Sequence, residues 1–360
     1  MSRSKYLAFL LCISLALAAR LSAQPGDSSG IDLLLSSKAV PTDAKAFRTY
    51  SKALTEFTGR KYPAALADFR LADQQSGGHC IACEARAYQA AKLLEDYKAA
   101  REEAALLLQQ TLDPARKAQV HFLAGDACLS EGGYRIYEEP FRQADNEFQA
   151  ALQLVPAQPQ CVYEDGVALA HLHRYDTAKE RFQQYMKLAS PNDLEFARAR
   201  LFLEQPELAR KRMAPEFHVT ALDGKPIAMQ DLVGKVVLID FWATWCAPCR
   251  AALPKMQKIA QEFAGQPLVV ISISLDADEN TWKNFVAHNG MTWTQYRDGG
   301  FDGEIATKFA VKAIPTTFSI DANGFLQDQQ VGSGEIESKL KQLVAEAQSA
   351  ANKKTVAELH

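Results

Sequence analysis

Two cysteines, Cys246 and Cys249, stand three positions apart in the stretch WATWCAPCR. A pair with this spacing can hold a metal ion, close a small structural disulfide, or act as a redox dithiol in which one thiolate attacks and the other resolves. A tetrahedral metal site needs two further ligands, and none stands near this pair in the sequence. A four-residue loop removes little chain entropy, which disfavours a purely structural disulfide. The spacing therefore favours redox chemistry.

The segments around this pair predict how it is positioned. The apolar run KVVLIDFWA, residues 235–243, predicts a buried strand, and the text that follows has apolar residues at helical spacing. Cys246 should then open the helix, where unpaired N–H groups and the helix dipole stabilise a thiolate. We expect Cys246 to be the exposed nucleophile and Cys249, one turn further, to lie buried beneath it. Asp240, among apolar neighbours, should have a raised pKa suited to proton transfer with Cys249.

The rest of the C-terminal half completes an α/β pattern. A second apolar run, PLVVISISLD at residues 267–276, predicts another buried strand. Two alternating runs flank Asn323 and Gly324, a dipeptide typical of a β-hairpin turn. The sequence GEIESKLKQLVAEAQSA predicts a closing amphipathic helix. These elements predict an α/β domain with a mixed sheet.

Several of these stretches resemble the thioredoxin superfamily. The resemblance rests on LIDFWATWCAPCR, GKVVLIDFW and VKAIPTTFSID. The preceding APEFHVTALDGKPIAMQDLVGK is similar to the exported branch of thiol-disulfide oxidoreductases related to TlpA and ResA, and the match runs over residues 215–347. The resemblance implies a thioredoxin fold in which Cys246 attacks a substrate disulfide, Cys249 resolves it and Asp240 is the buried acid.

The same resemblance implies residues on the substrate side and no metal or other cofactor. Pro315 would be a cis-proline that faces the cysteines, and Ile314 would offer backbone hydrogen bonds to an extended substrate. Thr316 beside them and Trp245 on the apolar rim are the other predicted substrate contacts. The sequence departs from cytosolic thioredoxins at Ser272, where a lysine often lies near the buried acid. Proton transfer to and from Asp240 can therefore differ from that in cytosolic thioredoxins.

The N-terminal half, residues 42–206, is rich in alanine and repetitive. Tyr62 and Tyr97 are 35 residues apart, and Phe141 and Tyr175 are 34 apart, the spacing of a helix-turn-helix repeat. Small and aromatic residues recur at fixed places after these aromatics: Ala65, Ala144, Ala178, Phe69, Phe148 and Phe182. The pattern resembles tetratricopeptide repeats and implies docking of partner proteins or peptides. An ordinary helical bundle is the alternative.

A second pair, Cys80 and Cys83, lies in GGHCIACEAR at the start of the second repeat. Haem attachment requires a histidine directly after such a pair, where Glu84 stands. We favour a local disulfide at a helix start, with free thiols and a second redox centre as alternatives. Cys128 and Cys161 are predicted to be unpaired, and Cys128 to lie on an apolar helix face.

The first residues, MSRSKYLAFLLCISLALAARLSA, have a basic start followed by an apolar run that is too short to span a bilayer. This pattern predicts a secretory signal at residues 1–23, with an uncleaved N-terminal anchor as the alternative. Export, which we expect to the periplasm, would place the chain where disulfides persist.

Length and charge limit the remaining possibilities. A chain of 360 residues predicts about two domains. We place a helical repeat domain at residues 42–206 and a thioredoxin-like domain at residues 214–350. The formal net charge of -3 and the lack of long basic runs disfavour a nucleic-acid partner, so a protein or small substrate is favoured.

Together these features predict an exported thiol-disulfide oxidoreductase whose repeats dock a protein client or partner. The dipeptide Ala247-Pro248 lacks the histidine that makes some relatives strong oxidants, which favours reduction of protein disulfides and recharging by a membrane thiol donor. The resemblance also implies a role in cytochrome c biogenesis. A scaffold protein with a sensory or vestigial dithiol is the alternative. A peroxidase is disfavoured because the Pro-x-x-x-Thr/Ser-x-x-Cys loop is missing around Cys249.

Overall fold

The computed structural model describes residues 31–35, 40–133, 137–191, 193–332 and 334–358. The predicted signal segment, residues 1–23, lies outside these ranges. The chain divides into two compact units between Arg210 and Lys211. Among the described helices, none combines the length and the apolar character that crossing a bilayer requires.

The first unit is a helical array, as predicted, and each helix packs mainly against the next one in the sequence. Its helices are α1 (Ala44–Thr58), α2 (Tyr62–Gln75), α3 (Ile81–Leu93), α4 (Tyr97–Gln109), α5 (Pro114–Gly132), α6 (Glu139–Leu154), α7 (Pro159–His171), α8 (Tyr175–Leu188) and α9 (Leu194–Glu204). Three of the predicted repeat aromatics, Tyr62, Tyr97 and Tyr175, are the first residues of α2, α4 and α8. The repeat spacing therefore marks the start of every second helix up to α8, apart from α6.

Small residues let neighbouring helices approach closely. The predicted aromatic positions Phe148 and Phe182 are fully buried. A Cβ atom added to Gly125 on α5 would lie 2.5 Å from the ring of Phe148, and one added to Gly166 on α7 would lie 2.7 Å from the ring of Phe182. Both distances are too short for carbon atoms, so only glycine permits these helix pairs to pack as they do.

The second unit contains a two-stranded hairpin and a five-stranded mixed sheet. Its strands are β1 (His218–Thr220), β2 (Pro226–Ala228), β3 (Val236–Trp242), β4 (Leu268–Ser274), β5 (Thr294–Arg297), β6 (Thr316–Ile320) and β7 (Leu326–Val331). Its helices are α10 (Ala247–Glu262), α11 (Glu279–His288), α12 (Glu304–Lys308) and α13 (Glu337–Glu358). The larger sheet has the order β5-β4-β3-β6-β7, in which β3 is parallel to β4 and antiparallel to β6.

The secondary-structure elements predicted for this unit are confirmed. The two apolar runs form β3 and β4, which pair in the middle of the sheet. The turn at Asn323 and Gly324 joins β6 to β7 in an antiparallel hairpin. The closing sequence forms α13.

Alternation along β3 decides which residues face the helix that follows it. All seven residues of β3 are buried, and Val236 and Leu238 pack in one core cluster with Met256 and Ile259 of α10. Side chains of a strand alternate between its two faces, so Asp240 shares the face of Val236 and Leu238. The carboxyl group is thereby placed beneath α10.

Candidate active site

Cys246 and Cys249 form a disulfide at the start of α10. Cys246 is the N-cap residue, and its Sγ accepts a hydrogen bond from the Cys249 N–H at 3.2 Å. The predicted position at a helix N-terminus is confirmed. The cap supplies one of the partners that the first N–H groups of a helix lack, and the same contact stabilises a thiolate at Cys246.

The predicted contrast in exposure between the two sulfurs is wrong for this oxidised form. Cys246 is 5% exposed and Cys249 is 6% exposed, so the two disulfide-bonded residues are buried to nearly the same extent. The residues around them are open: Trp245 is 59% exposed, and Ala247 and Pro248 are also exposed. A substrate would therefore meet Cys246 between exposed neighbours.

A buried aspartate that the sequence analysis missed braces the loop before Cys246. Asp276 accepts hydrogen bonds from the N–H of Thr244 at 3.0 Å and from its hydroxyl at 2.6 Å. The Ser274 hydroxyl donates to the same carboxylate at 2.6 Å. These bonds fix the chain two residues before the cysteine. An acidic residue two positions after the end of β4 was the only signal in the sequence.

Asp240 lies on β3 opposite Ser272 of β4 and Thr317 of β6. Burial raises the pKa of Asp240 to about 7, although a hydrogen bond from the Ser272 hydroxyl to Oδ2 at 3.2 Å favours the charged form. The carboxyl lines a small cavity together with Cys249 and Pro315. Asp240 can therefore gain and lose a proton near neutral pH beside the second cysteine.

A tryptophan fixes the direction of this hydrogen bond. The indole Nε1 of Trp293 donates to the Ser272 hydroxyl at 2.9 Å. A serine hydroxyl has one proton, so when its oxygen accepts from the indole, that proton is free to point towards Asp240. The buried acid of this chain thus has a neutral donor where cytosolic thioredoxins often have a lysine. Sequence reasoning identified Ser272 but missed Trp293, which lies 21 residues away.

The segment before β6 faces the cysteines. The Ile314–Pro315 peptide bond is cis, and the Sγ of Cys246 lies 3.8 Å from the carbonyl oxygen of Ile314. Ile314 is half-buried and Pro315 is buried. Thr316 is also buried, and its hydroxyl donates to the Ala313 carbonyl at 2.7 Å. The Thr316 side chain thus holds this turn, and Ile314 carries a backbone carbonyl 3.8 Å from the Cys246 sulfur.

The other cysteines lie in the first unit. Cys80 and Cys83 form a disulfide, whereas Cys128 and Cys161 are free and buried. Burial raises the pKa of the Cys128 thiol to about 11 and that of Cys161 further still. Neither free thiol is a nucleophile at neutral pH.

Thiol-disulfide exchange needs two sulfurs that can alternate between a shared bond and a bond to substrate, and a nearby group that takes up a proton. The second unit provides these on one helix end and one central strand. It is a thiol-disulfide oxidoreductase with a thioredoxin fold.

Comparison with known proteins leads to a family. Residues 211–329 match the AhpC/TSA family. The thiol-disulfide oxidoreductase ResA of Bacillus anthracis is 33% identical over 131 residues, which are 36% of this chain and 75% of ResA. The thioredoxin-like protein YneN of Bacillus subtilis is 35% identical over 135 residues, 36% of this chain and 77% of YneN. The chain belongs to the ResA family of thiol-disulfide oxidoreductases.

A solved structure is also similar. The thiol:disulfide interchange protein of the thioredoxin family from Chlorobium tepidum is 26% identical and covers 37% of this chain and 97% of its own, with a TM-score of 0.34. Each of these matches covers from about a third to less than two fifths of the chain.

Proposed function

We propose that the protein is an exported reductase of protein disulfides in which Cys246 attacks and Cys249 resolves. The observation that carries this proposal is the position of the Cys246 sulfur. It caps α10, lies 3.2 Å from the Cys249 nitrogen and lies 3.8 Å from the Ile314 carbonyl oxygen. A thiolate there has a stabilising N–H group and a backbone acceptor for a substrate beside it.

The reaction starts from the reduced pair. The Cys246 thiolate attacks one sulfur of the substrate disulfide, and the other substrate sulfur leaves as a thiolate and takes up a proton. Cys249 then attacks the Cys246 sulfur, the mixed disulfide breaks and the second substrate thiol is released. Two electrons pass to the substrate, and the enzyme ends with the Cys246–Cys249 bond. A membrane thiol donor returns the pair to the dithiol.

Asp240 serves the resolving step in this proposal. Cys249 must lose its proton before it attacks, and Asp240 lines the same small cavity. A pKa of about 7 makes the carboxyl an acceptor near neutral pH. Ser272 and Trp293 hold the hydrogen bond that stabilises the charged form. The proton can then leave through the cavity.

The substrate contacts follow from exposure. Trp245 offers an exposed ring beside the cysteines, and Ile314 offers a backbone carbonyl to an extended segment. Thr316 contributes indirectly, because its hydroxyl holds the turn that carries Ile314 and Pro315.

Reduction of insulin by the purified chain, with a dithiol as electron source, tests this function. Reduced Cys249→Ser, mixed with insulin after the dithiol has been removed, should accumulate a mixed disulfide between Cys246 and an insulin chain, which intact-mass analysis detects. Cys161→Ala, which removes a free buried thiol, is the matched control and should form none. If Cys249→Ser turned over at the wild-type rate without a trapped species, Cys249 would not be the resolving residue.

The helical array is proposed to be tetratricopeptide-like and to dock the protein client near Cys246. Its helices follow the repeat spacing, and an attached docking surface raises the effective concentration of a bound client. Residues 214–360 alone should keep full activity on a small disulfide and lose activity on the client. Equal rates on the client with and without the array would remove the docking role.

Export is proposed from residues 1–23, whose basic start and short apolar run are typical of a secretory signal. Mass analysis of the chain recovered from the periplasm should show cleavage after Ala23. Recovery of the intact N-terminus in the membrane fraction would instead indicate an anchor. Recovery only from the cytoplasm would contradict export.

A further inference from the structure

The helical array contains a second disulfide in the same local frame as the first. Cys80 is the N-cap residue of α3, and its Sγ accepts a hydrogen bond from the Cys83 N–H at 3.1 Å. Cys80 is 3% exposed and Cys83 is 0% exposed. The residues before them are exposed, and no heavy atom lies within 4 Å of where a Cβ on Gly78 would stand. The chain segment just before Cys80 therefore lies at an open surface.

A carboxyl group lies over this helix end. Glu84 is 1% exposed and stands four residues after Cys80, whose carbonyl accepts the Glu84 N–H at 3.0 Å. Helical side chains lean towards the N-terminus, so the Glu84 carboxyl points back over the first turn. The Gln110 amide donates to Glu84 Oε1 at 2.7 Å and to the Gly78 carbonyl at 2.9 Å, which ties the carboxyl to the segment before Cys80.

This carboxyl is incompletely paired. Oε2 of Glu84 is buried and has no hydrogen-bond partner among the described residues. The charged groups that act on it are Asp73 of α2 and Glu103 of α4, and Arg70 pairs with Glu103. Burial, followed by the negative charge of Asp73, raises the pKa of Glu84 to about 8. The carboxyl therefore holds a proton at neutral pH.

A purely structural disulfide does not account for these features. The loop that it closes is four residues long and already forms a helical turn, so the bond removes little chain entropy. A buried carboxyl oxygen without a partner destabilises the fold. A disulfide that only holds the helix end would gain nothing from such a group.

We propose that Cys80–Cys83 is a second redox-active disulfide, which small thiols reduce and which, as a dithiol, reduces small disulfides, with Glu84 as its proton donor. Small reactants fit because both cysteines are buried, while the residues just before Cys80 are exposed and leave open space at Gly78. This site lies in the first unit, outside the residues that match the AhpC/TSA family. The proposal is independent of the reaction at Cys246.

Reduction takes two exchanges. A small thiolate attacks the Cys80 sulfur, the S–S bond breaks, and the Cys83 thiolate leaves and takes a proton from Glu84, which regains one from solvent. A second small thiolate attacks the sulfur of the first, forms a small disulfide and releases the Cys80 thiolate, which the Cys83 N–H caps. Two small thiols are oxidised, and the protein disulfide becomes a dithiol. The reverse sequence reduces a small disulfide.

The test uses the full chain with Cys246→Ser and Cys249→Ser, so that the proposed protein reductase is absent. The oxidised protein is incubated with mixtures of reduced and oxidised glutathione near pH 7, alkylated without denaturant and digested for mass analysis. We expect Cys80 and Cys83 to be alkylated together, following a two-electron curve that reverses with oxidised glutathione. Cys128 and Cys161 should stay unlabelled, because burial raises the pKa of both thiols and neither is a helix N-cap residue like Cys80.

Two outcomes would overturn the proposal. Cys80 and Cys83 could stay unlabelled under millimolar dithiothreitol while the fold is intact by circular dichroism. They could also be labelled only together with Cys128 and Cys161, which would mean that access requires unfolding.

A second variant tests the proton donor. Glu84→Gln keeps the shape and the contact with Gln110 but carries no acidic proton, so reduction near pH 7 should slow by about 10-fold. The rate of reduction of Glu84→Gln should rise with pH in proportion to the thiolate fraction of glutathione. The wild-type rate should exceed it below about pH 8 and approach it at higher pH, where Glu84 has lost its proton. Glu102→Gln on the exposed face of α4 is the matched control. Equal rates for Glu84→Gln and wild type at every pH would remove Glu84 from the reaction.

Discussion

The two disulfides in the described part of this chain have the same local geometry and different surroundings. In both, the first cysteine caps a helix, and its sulfur accepts the N–H of the second cysteine, at 3.1 Å for Cys80 and 3.2 Å for Cys246. Around Cys246, however, a strand precedes the helix, the Ile314 carbonyl lies 3.8 Å away and an exposed tryptophan adjoins it. The comparison shows that two cysteines with this spacing at the start of a helix give a capped sulfur. The tertiary structure around the helix decides which substrates can reach that sulfur.

The buried acids extend the comparison. Asp240 comes from a central strand beneath the helix, and Glu84 comes from the helix that its cysteines begin. Burial raises both pKa values, to about 7 for Asp240 and about 8 for Glu84. Asp240 lines a small cavity with Cys249, whereas Glu84 has an oxygen without a partner in the described structure. Each disulfide thus has its own buried carboxyl group, and the two carboxyl groups lose their protons over different pH ranges.

The largest expected effect separates the two cysteine pairs. Cys246→Ser removes the proposed nucleophile, so insulin reduction by the full chain should fall by more than roughly 1000-fold. The turbidity of precipitating insulin B chain measures the rate, and Cys128→Ala is the control for loss of a cysteine outside both pairs. A residual rate above about a tenth of wild type would assign protein reduction to Cys80 and Cys83. The two pairs would then not differ in the substrates that they accept.

The next effect concerns stability and distinguishes the two acids. Between its unfolded pKa near 4 and its raised folded value, a buried acid keeps a proton that the unfolded chain has lost, so stability falls as pH rises through this window. For Asp240, from 3.8 to about 7, the loss at about 1.4 kcal/mol per unit reaches at most about 4 kcal/mol. Asp240→Asn should therefore increase the free energy of unfolding by this amount above about pH 7. Glu84→Gln should increase it by a similar amount above about pH 8, and neither variant should gain stability below pH 4.

Unfolding of the oxidised protein by urea measures these gains. All four tryptophans of the chain lie in the second unit, so their fluorescence reports Asp240→Asn. Far-UV circular dichroism follows the helical array and reports Glu84→Gln. If neither variant gained stability between pH 5 and pH 9, the two carboxyls would not be buried as acids.

A smaller effect is expected on the rate of the resolving step. Asp240→Asn removes the proposed proton acceptor beside Cys249 and should slow resolution by about 100-fold near pH 8. Quenched alkylation of the mixed disulfide measures this step, and Asp328→Asn on the edge strand is the matched control. The wild-type profile should have an inflection near pH 7 that Asp240→Asn lacks. The same inflection in both would exclude Asp240 as the acceptor.

The smallest effect concerns the hydrogen-bond chain to Asp240. Ser272→Ala removes a bond to the charged carboxylate, so the pKa of Asp240 should rise further, by less than about one unit. Trp293→Phe leaves the Ser272 hydroxyl in place and should raise the pKa of Asp240 by a smaller amount. Ser319→Ala removes another buried hydroxyl of the sheet and should leave the inflection unchanged. Equal profiles for Ser272→Ala and Ser319→Ala would mean that the chain does not act on Asp240.

The sequence predicts most of the fold because the signals are local. The apolar runs of β3 and β4, the hairpin turn at Asn323 and the helix that begins after Cys246 each depend on residues close together in the chain. The repeat spacing likewise predicts α2, α4 and α8. Their partner helices α3, α5 and α7 follow from the resemblance rather than from a pattern of their own.

The site is predicted less completely, because several of its contacts join distant residues. The bond from Trp293 to Ser272 spans 21 residues, and that from Ser272 to Asp240 spans 32. The brace from Thr244 to Asp276 also spans 32 residues. No local pattern encodes such pairs, since strand pairing brings them together. The equal burial of Cys246 and Cys249 also escapes sequence reasoning, because both pack against residues that are distant in the sequence, such as Trp282 and Ile314.

The close contacts between glycine and phenylalanine in the helical array have an evolutionary consequence. A methyl group at position 125 would collide with the ring of Phe148, and one at position 166 would collide with the ring of Phe182. In each pair, a larger residue at the first position is compatible only with a smaller one at the second. Among homologues that share this array, positions 125 and 148 should therefore vary together, as should 166 and 182, and such covariation would reveal helix contacts without a structure.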